Sequence, residues 1–207
     1  MALNYRDSAI RYGDLTIAQR FAFDAGAAFN IEFFRSMYGG GRIVLPASDG
    51  RIHDAPAVGL PAAATADDLG CVSGTFLTAK PLLQAGDVGT LNSTRYGRWI
   101  FQFPFDATLL TTLTLRAKNA GMLTTVAGTS CSIDAQVVDQ LDPDAELCTT
   151  ALQSINSLTL ADKDFTIGTT TLVANSVLDI RIAVAYVDAG DAGVMIPTLD
   201  HLELIFT

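Results

Sequence analysis

The 207-residue chain reads as an all-β protein: an eight-stranded, jelly-roll-like β-sandwich over residues 67–207, preceded by an extended N-terminal arm over residues 1–66. Three observations predict this. Ser176–Val187 places Leu178, Ile180, Ile182, Val184 and Tyr186 on one face of a strand and Asp179, Arg181, Ala183 and Ala185 on the other, the alternation of a strand interior to a packed sheet. Seven other short segments after residue 66 fit the same period, with no ten-residue helical pattern between them. Turn-forming clusters punctuate them: Gly86-Asp87, Lys118-Asn119-Ala120-Gly121, Asp142-Pro143-Asp144, Ala174-Asn175 and Asp188-Ala189-Gly190-Asp191.

The eight strands are expected over 69–80, 98–105, 111–118, 129–138, 147–155, 163–169, 176–187 and 199–207. Alternation is cleanest at Cys131, Ile133, Ala135 and Val137 against Ser132, Asp134 and Gln136, and at Leu202, Leu204 and Phe206 against His201 and Glu203. The fifth strand is the weakest, because Thr149–Ser157 would also tolerate a helical turn. Trp99 alternates with strand neighbours and is expected in the core rather than at the surface. Residues 84–96 and 187–198 form the long loops, where a sandwich usually makes its contacts.

The front of the chain has a different texture. Phe21, Phe23, Phe29, Phe33 and Phe34 fall within Ala18–Phe34, Tyr38-Gly39-Gly40-Gly41 breaks any regular element, and Pro46, Pro56 and Pro61 keep the following segment extended. Each phenylalanine left in water forfeits ~1.5–3 kcal/mol. These side chains therefore need a surface, either their own sandwich or a neighbouring subunit, and an arm reaching a neighbour is the expectation. The contact residues are Phe21, Phe23, Phe29, Phe33, Phe34 and Tyr38.

Composition narrows the function. Lys and Arg number 13 against 22 Asp and Glu, for a net charge of −9. Nucleic acid and anionic membranes are bound through clustered basic residues, so neither is an expected partner. No segment has the apolar length of a membrane span, and the first residues lack the pattern of a secretory signal, which leads to an expectation of synthesis without export. Cys71, Cys131 and Cys148 are odd in number and lack CxxC spacing, as expected of reduced, buried thiols.

Catalytic signatures are missing. His53 and His201 are the two histidines, neither in a nucleophile motif, and phosphate-loop, zinc-protease and dinucleotide fingerprints are absent. No enzyme activity, cofactor or metal is expected. Asp139, Asp142, Asp144 and Glu146 could offer oxygen ligands to calcium, but they also fit a solvated turn.

Gly121–Val126, Cys148–Leu158 and Ala161–Ile167, together with Gly74-Thr75-Phe76, Arg95–Gln102 and Val177–Arg181, resemble a group of tailed-bacteriophage virion proteins. The likeness spans roughly residues 67–207. It implies a jelly-roll domain of the capsid cement or decoration kind, on the capsid exterior, with the major capsid protein and further copies of itself, as a trimer, for partners. The alternative expectation is a receptor- or carbohydrate-binding sandwich on a phage head or tail fibre, with Tyr96 and the end loops carrying recognition.

Overall fold

The structure, a computed structural model, describes residues 41–65, 67–72, 74, 79–86, 92–103, 110–124, 130–173, 175–187 and 196–206. Two antiparallel sheets face one another. The five-stranded sheet is built on β4 (Ser93–Gln102), β6 (Ser130–Asp139), β7 (Asp142–Glu146), β8 (Gln153–Ser154) and β10 (Val177–Val187), in the order β4-β10-β6-β7 with β8 also on β6. The seven-stranded sheet contains β1 (Arg42–Leu45), β2 (Gly70–Val72), β3 (Leu82–Gln84), β5 (Leu113–Met122), β9 (Ala161–Ile167), β11 (Pro197–Leu199) and β12 (Leu202–Phe206). From β3 to β6, and again from β9 to β11, each successive strand lies in the opposite sheet. This repeated crossing is the connection pattern of a jelly roll.

The predicted sandwich is therefore present, and its strands differ from the expected eight in instructive ways. β10 is central, paired with β4 on one side and β6 on the other over nearly its whole length. Its even positions, Leu178 to Tyr186, are buried as the alternation requires. β4 begins at Ser93, inside the expected long loop, because Tyr186 pairs with it there. The last expected strand is two, β11 and β12, separated at Asp200-His201. Among the described residues of the first, Gly70–Val72 form β2, and β3 follows it.

One turn was misplaced by sequence. Asp142-Pro143-Asp144 is not the turn but the start of β7; the reversal falls at Gln140-Leu141, where the Asp139 carboxylate accepts the Leu141 N–H at 3.1 Å. Pro143 is tolerated because β7 lies at the sheet edge, where a missing N–H leaves no ladder bond unmade. The expected fifth strand over 147–155 survives only as β8.

The expectation of an extended arm through residue 66 is corrected over residues 41–65, which wrap the chain's own sandwich. β1 pairs antiparallel with β12, burying Ile43 and Leu45. The chain then turns through a short 3-10 segment, Ala47–Asp49, and crosses to the free edge of β4. There Arg51 exchanges both backbone hydrogen bonds with Arg98 (2.8 and 3.0 Å). Tyr96 donates its N–H to the Asp67 carbonyl and accepts the Leu69 N–H, both at 2.8 Å. Phe21, Phe23, Phe29, Phe33, Phe34 and Tyr38 lie outside the described residues.

Between the sheets lies one continuous core. Ile133, Val137, Ile180, Ile182, Val184 and Trp99 from the five-stranded sheet meet Leu113, Leu115, Met122, Phe165, Leu204 and Phe206 from the other. Trp99 is 1% exposed, and its indole N–H donates to the Pro46 carbonyl at 3.2 Å, which pins the crossing segment to the core. Gly97 lies beneath it; an added Cβ would come within 2.9 Å of the Trp99 ring.

Two outcomes follow from this packing. Trp99→Ala should cost about 3–5 kcal/mol by denaturant unfolding, since it opens a large cavity and removes the indole hydrogen bond to the Pro46 carbonyl. Burial raises the Cys131 thiol to about 12, so alkylation at pH 8.5 should spare Cys131 until denaturant is added. Because that folded value lies above the unfolded one, this contribution to stability is complete below about pH 8.5 and is lost as the pH climbs toward 12.

Candidate functional site

The alternation that fills the core leaves the opposite faces of β4, β6 and β10 pointing outward. Strand register decides which outward residues meet. Arg181 lies level with Arg98 on β4 and Gln136 on β6, Ala183 with Tyr96 and Asp134, and Ala185 with Thr94 and Ser132. Asp179 lies level with Ile100 and Val138. Polar side chains spread over three separate segments thus converge on one surface.

That surface carries two adjoining hollows. The nearer, of about 260 Å³, is lined by Thr94, Tyr96, Ser132, Asp134, Gln136, Leu152, Arg181, Ala183 and Ala185. The farther, of about 330 Å³, is lined by His53, Arg98, Gln136, Val138, Glu146, Asp179 and Arg181. Arg181 and Gln136 belong to both, and a hydrogen bond from the Arg181 guanidinium to the Gln136 carbonyl forms the low wall between them.

In the farther hollow the Arg98 fork embraces Asp179, with Nε–Oδ1 at 2.7 Å and Nη2 on Oδ2. A bidentate pair of this kind holds both groups in one plane, and the Asp179 hydrogen bond raises the Arg98 guanidinium above its ordinary value. A further Arg98 nitrogen donates to the His53 carbonyl at 3.0 Å. The His53 ring is tied to the buried Asp68 carboxylate at 3.0 Å and rests on Tyr96 with ring centroids 4.7 Å apart. The Arg181 guanidinium carbon lies 5.2 Å from the Tyr96 ring centre, within cation–π range. Tyr96 is therefore held from two neighbours before any ligand arrives.

The nearer hollow has groups to spare. Asp134 Oδ1 accepts the Ala135 N–H at 3.0 Å. Its second oxygen, the Gln136 amide nitrogen and the Tyr96 hydroxyl have no partner among the described residues. Ala183 and Ala185 form a floor without long side chains, and Leu152 is an exposed apolar rim.

The other residues singled out by sequence go elsewhere. Asp139 is buried and accepts from Ser176 at 2.6 Å, and Glu146 Oε1 accepts the Val137 and Cys148 N–H groups at 2.7 and 2.8 Å. Asp142 and Asp144 are exposed on β7, so the four carboxylates do not converge on one ion. His201 pairs with Glu203 at 3.2 Å on the other sheet. Among the described residues one group has metal-ligand spacing, His53, Asp54 and Asp67, whose donor atoms lie within 4.8 Å of one another. One imidazole and two exposed carboxylates would suit a divalent cation held loosely. All three cysteines are free thiols.

Tyr96, which the alternative expectation puts forward for recognition, lines the nearer hollow. Asp134, Gln136, Arg98, Asp179 and Arg181 were visible as the polar phase of three strands, but their convergence depends on register. A polar outward phase recurring in several strands is the signal that could have found them.

No family model matches the chain, and no curated protein matches it. Among the solved structures that match the chain are two CBM domains. One is the CBM22-1 xylan-binding domain of Paenibacillus barcinonensis Xyn10C, at 11% identity and a TM-score of 0.36, covering 79% of this chain and 92% of that one. The other is the CBM36-1 domain of a multidomain xylanase from the hindgut metagenome of Trinervitermes trinervoides, at 10% identity and a TM-score of 0.33, covering 79% and 95%. At those scores neither likeness assigns a ligand.

Asp179→Ala should destabilise the sandwich by about 1–3 kcal/mol, because Arg98 loses the acceptor for both arms of its fork. In a double-mutant cycle with Arg98→Met, measured by denaturant unfolding, the two losses should be clearly less than additive. Strict additivity would mean that the pair contributes no coupling.

Proposed function

We propose that the sandwich is a non-catalytic binding module that takes a carbohydrate on the outer face of its five-stranded sheet. The observation that carries this is the set of uncommitted groups around the nearer hollow: a carboxylate oxygen on Asp134, an amide N–H on Gln136 and the hydroxyl of Tyr96, above a floor of Ala183 and Ala185. A carboxylate only accepts, an amide N–H only donates, and a phenol does either. The complementary ligand must donate and accept from neighbouring atoms, which is what vicinal sugar hydroxyls do. The alanine floor, the Leu152 rim and the Tyr96 ring supply the apolar contact for a sugar's C–H face.

Binding on this surface needs no bond to be broken. Each histidine ring is held by a carboxylate, Asp68 for His53 and Glu203 for His201. Among the described residues neither has a hydroxyl or thiol partner that it could activate.

A place on a phage capsid exterior, with the major capsid protein and further copies of the chain as partners, is a separate proposal. The sequence resemblance supports it, and its contact residues Phe21, Phe23, Phe29, Phe33, Phe34 and Tyr38 lie outside the described residues. The two proposals are compatible, since one concerns where the domain is carried and the other what its exposed sheet face holds.

A glycan array followed by titration calorimetry tests the carbohydrate reading. Asp134→Ala and Tyr96→Ala should each weaken binding at least tenfold, with thermal unfolding shifted by no more than a few degrees. Full retention of affinity in both variants would remove this face from consideration.

A further inference from the structure

We infer that the ligand is an uncharged glycan chain lying lengthwise along β10 across both hollows, rather than a single sugar or an acidic polysaccharide. This inference rests on the carbohydrate reading above and goes further, to the class of glycan and its length.

Length comes from the continuity of the surface. The hollows share Arg181 and Gln136 as a common boundary. Together they follow β10 from Asp179 to Ala185, a run of about 20 Å at ~3.3 Å per residue. A monosaccharide would occupy one hollow and leave the Arg98–Asp179 pair without a role in binding. A chain spans both, passing over the wall made by the Arg181–Gln136 hydrogen bond.

Charge selects the class. The lining residues of the two hollows include two arginines, Arg98 and Arg181, against three carboxylates, Asp134, Glu146 and Asp179. Each guanidinium is already engaged: Arg98 by both oxygens of Asp179, and Arg181 by Gln136 and the Tyr96 ring. A uronate or sulfate entering here would find Arg98 neutralised by Asp179 and, against the single carboxylate-free guanidinium of Arg181, the two carboxylates of Asp134 and Glu146. Like-charge approach and desolvation both oppose it. Neutral hydroxyls meet no such penalty, because they can donate to the carboxylates and accept from the guanidinium edges and the amide.

The test is calorimetry on the full chain with two oligosaccharide ladders of one to six units, neutral xylo- or gluco-oligosaccharides and acidic oligogalacturonates, each at 50 and 300 mM salt. The neutral ladder should gain at least tenfold in affinity between one and four units, with little change between the two salt concentrations. The acidic ladder should bind at least tenfold more weakly at equal length. Val138→Phe, which fills the farther hollow without touching Tyr96 or Asp134, should abolish the gain with length while leaving the shortest binding sugar unaffected. Tighter binding of the acidic ladder, or no dependence on length, overturns this inference and leaves the carbohydrate reading standing. Failure of every glycan in both ladders and on the array overturns both.

Discussion

Strand β10 is hydrogen-bonded along both edges, and that double pairing fixes which way each of its side chains points. A slip of one residue against β4 or β6 would carry Leu178, Ile180, Ile182 and Val184 into water and drive Asp179 and Arg181 into the core. The hydrophobic cost of the slipped state falls on the inner face, yet its effect is to hold the outer face in register as well. The convergence of Arg98, Arg181 and Gln136 is thus stabilised by residues that touch none of them. Core and site are two sides of one constraint.

The outer face is braced a second time by the segment between β1 and β2. Its backbone completes the edge of β4 at Tyr96 and Arg98, and its side chains add His53, itself held by Asp68. Trp99 ties the same segment down from beneath through the Pro46 carbonyl. Tyr96 is consequently fixed in both backbone and ring. Under the proposed carbohydrate reading, a side chain ordered in advance in this way loses little conformational freedom on binding.

Where the sequence spoke in period two, it could be read: β5, β6, β9, β10 and β12 fall close to their expected places, and Trp99 is in the core. It misled where local chemistry has two uses. Asp-Pro-Asp suits a turn, but it equally suits an exposed edge strand, and only the position of β7 at the end of a sheet distinguishes them. Pro46, Pro56 and Pro61 signal extended chain, yet extended chain can lie against its own sheet as readily as reach away from it. The candidate site was half legible. Tyr96 is named with the end loops in the alternative expectation, whereas Asp134, Gln136 and Arg181 acquire meaning only through cross-strand register, which no single segment encodes.

The two borders of the five-stranded sheet have a bearing on how copies of this molecule can associate. At one border the middle of β4 has already spent its outward amides and carbonyls on Arg51, Asp67 and Leu69; at the other, β7 presents a proline flanked by carboxylates. Growth of this sheet by annealing a foreign strand is therefore discouraged on both flanks. Any lattice or oligomer built from the domain would have to join through faces, loops or the larger sheet rather than by extending the five-stranded sheet at its edges.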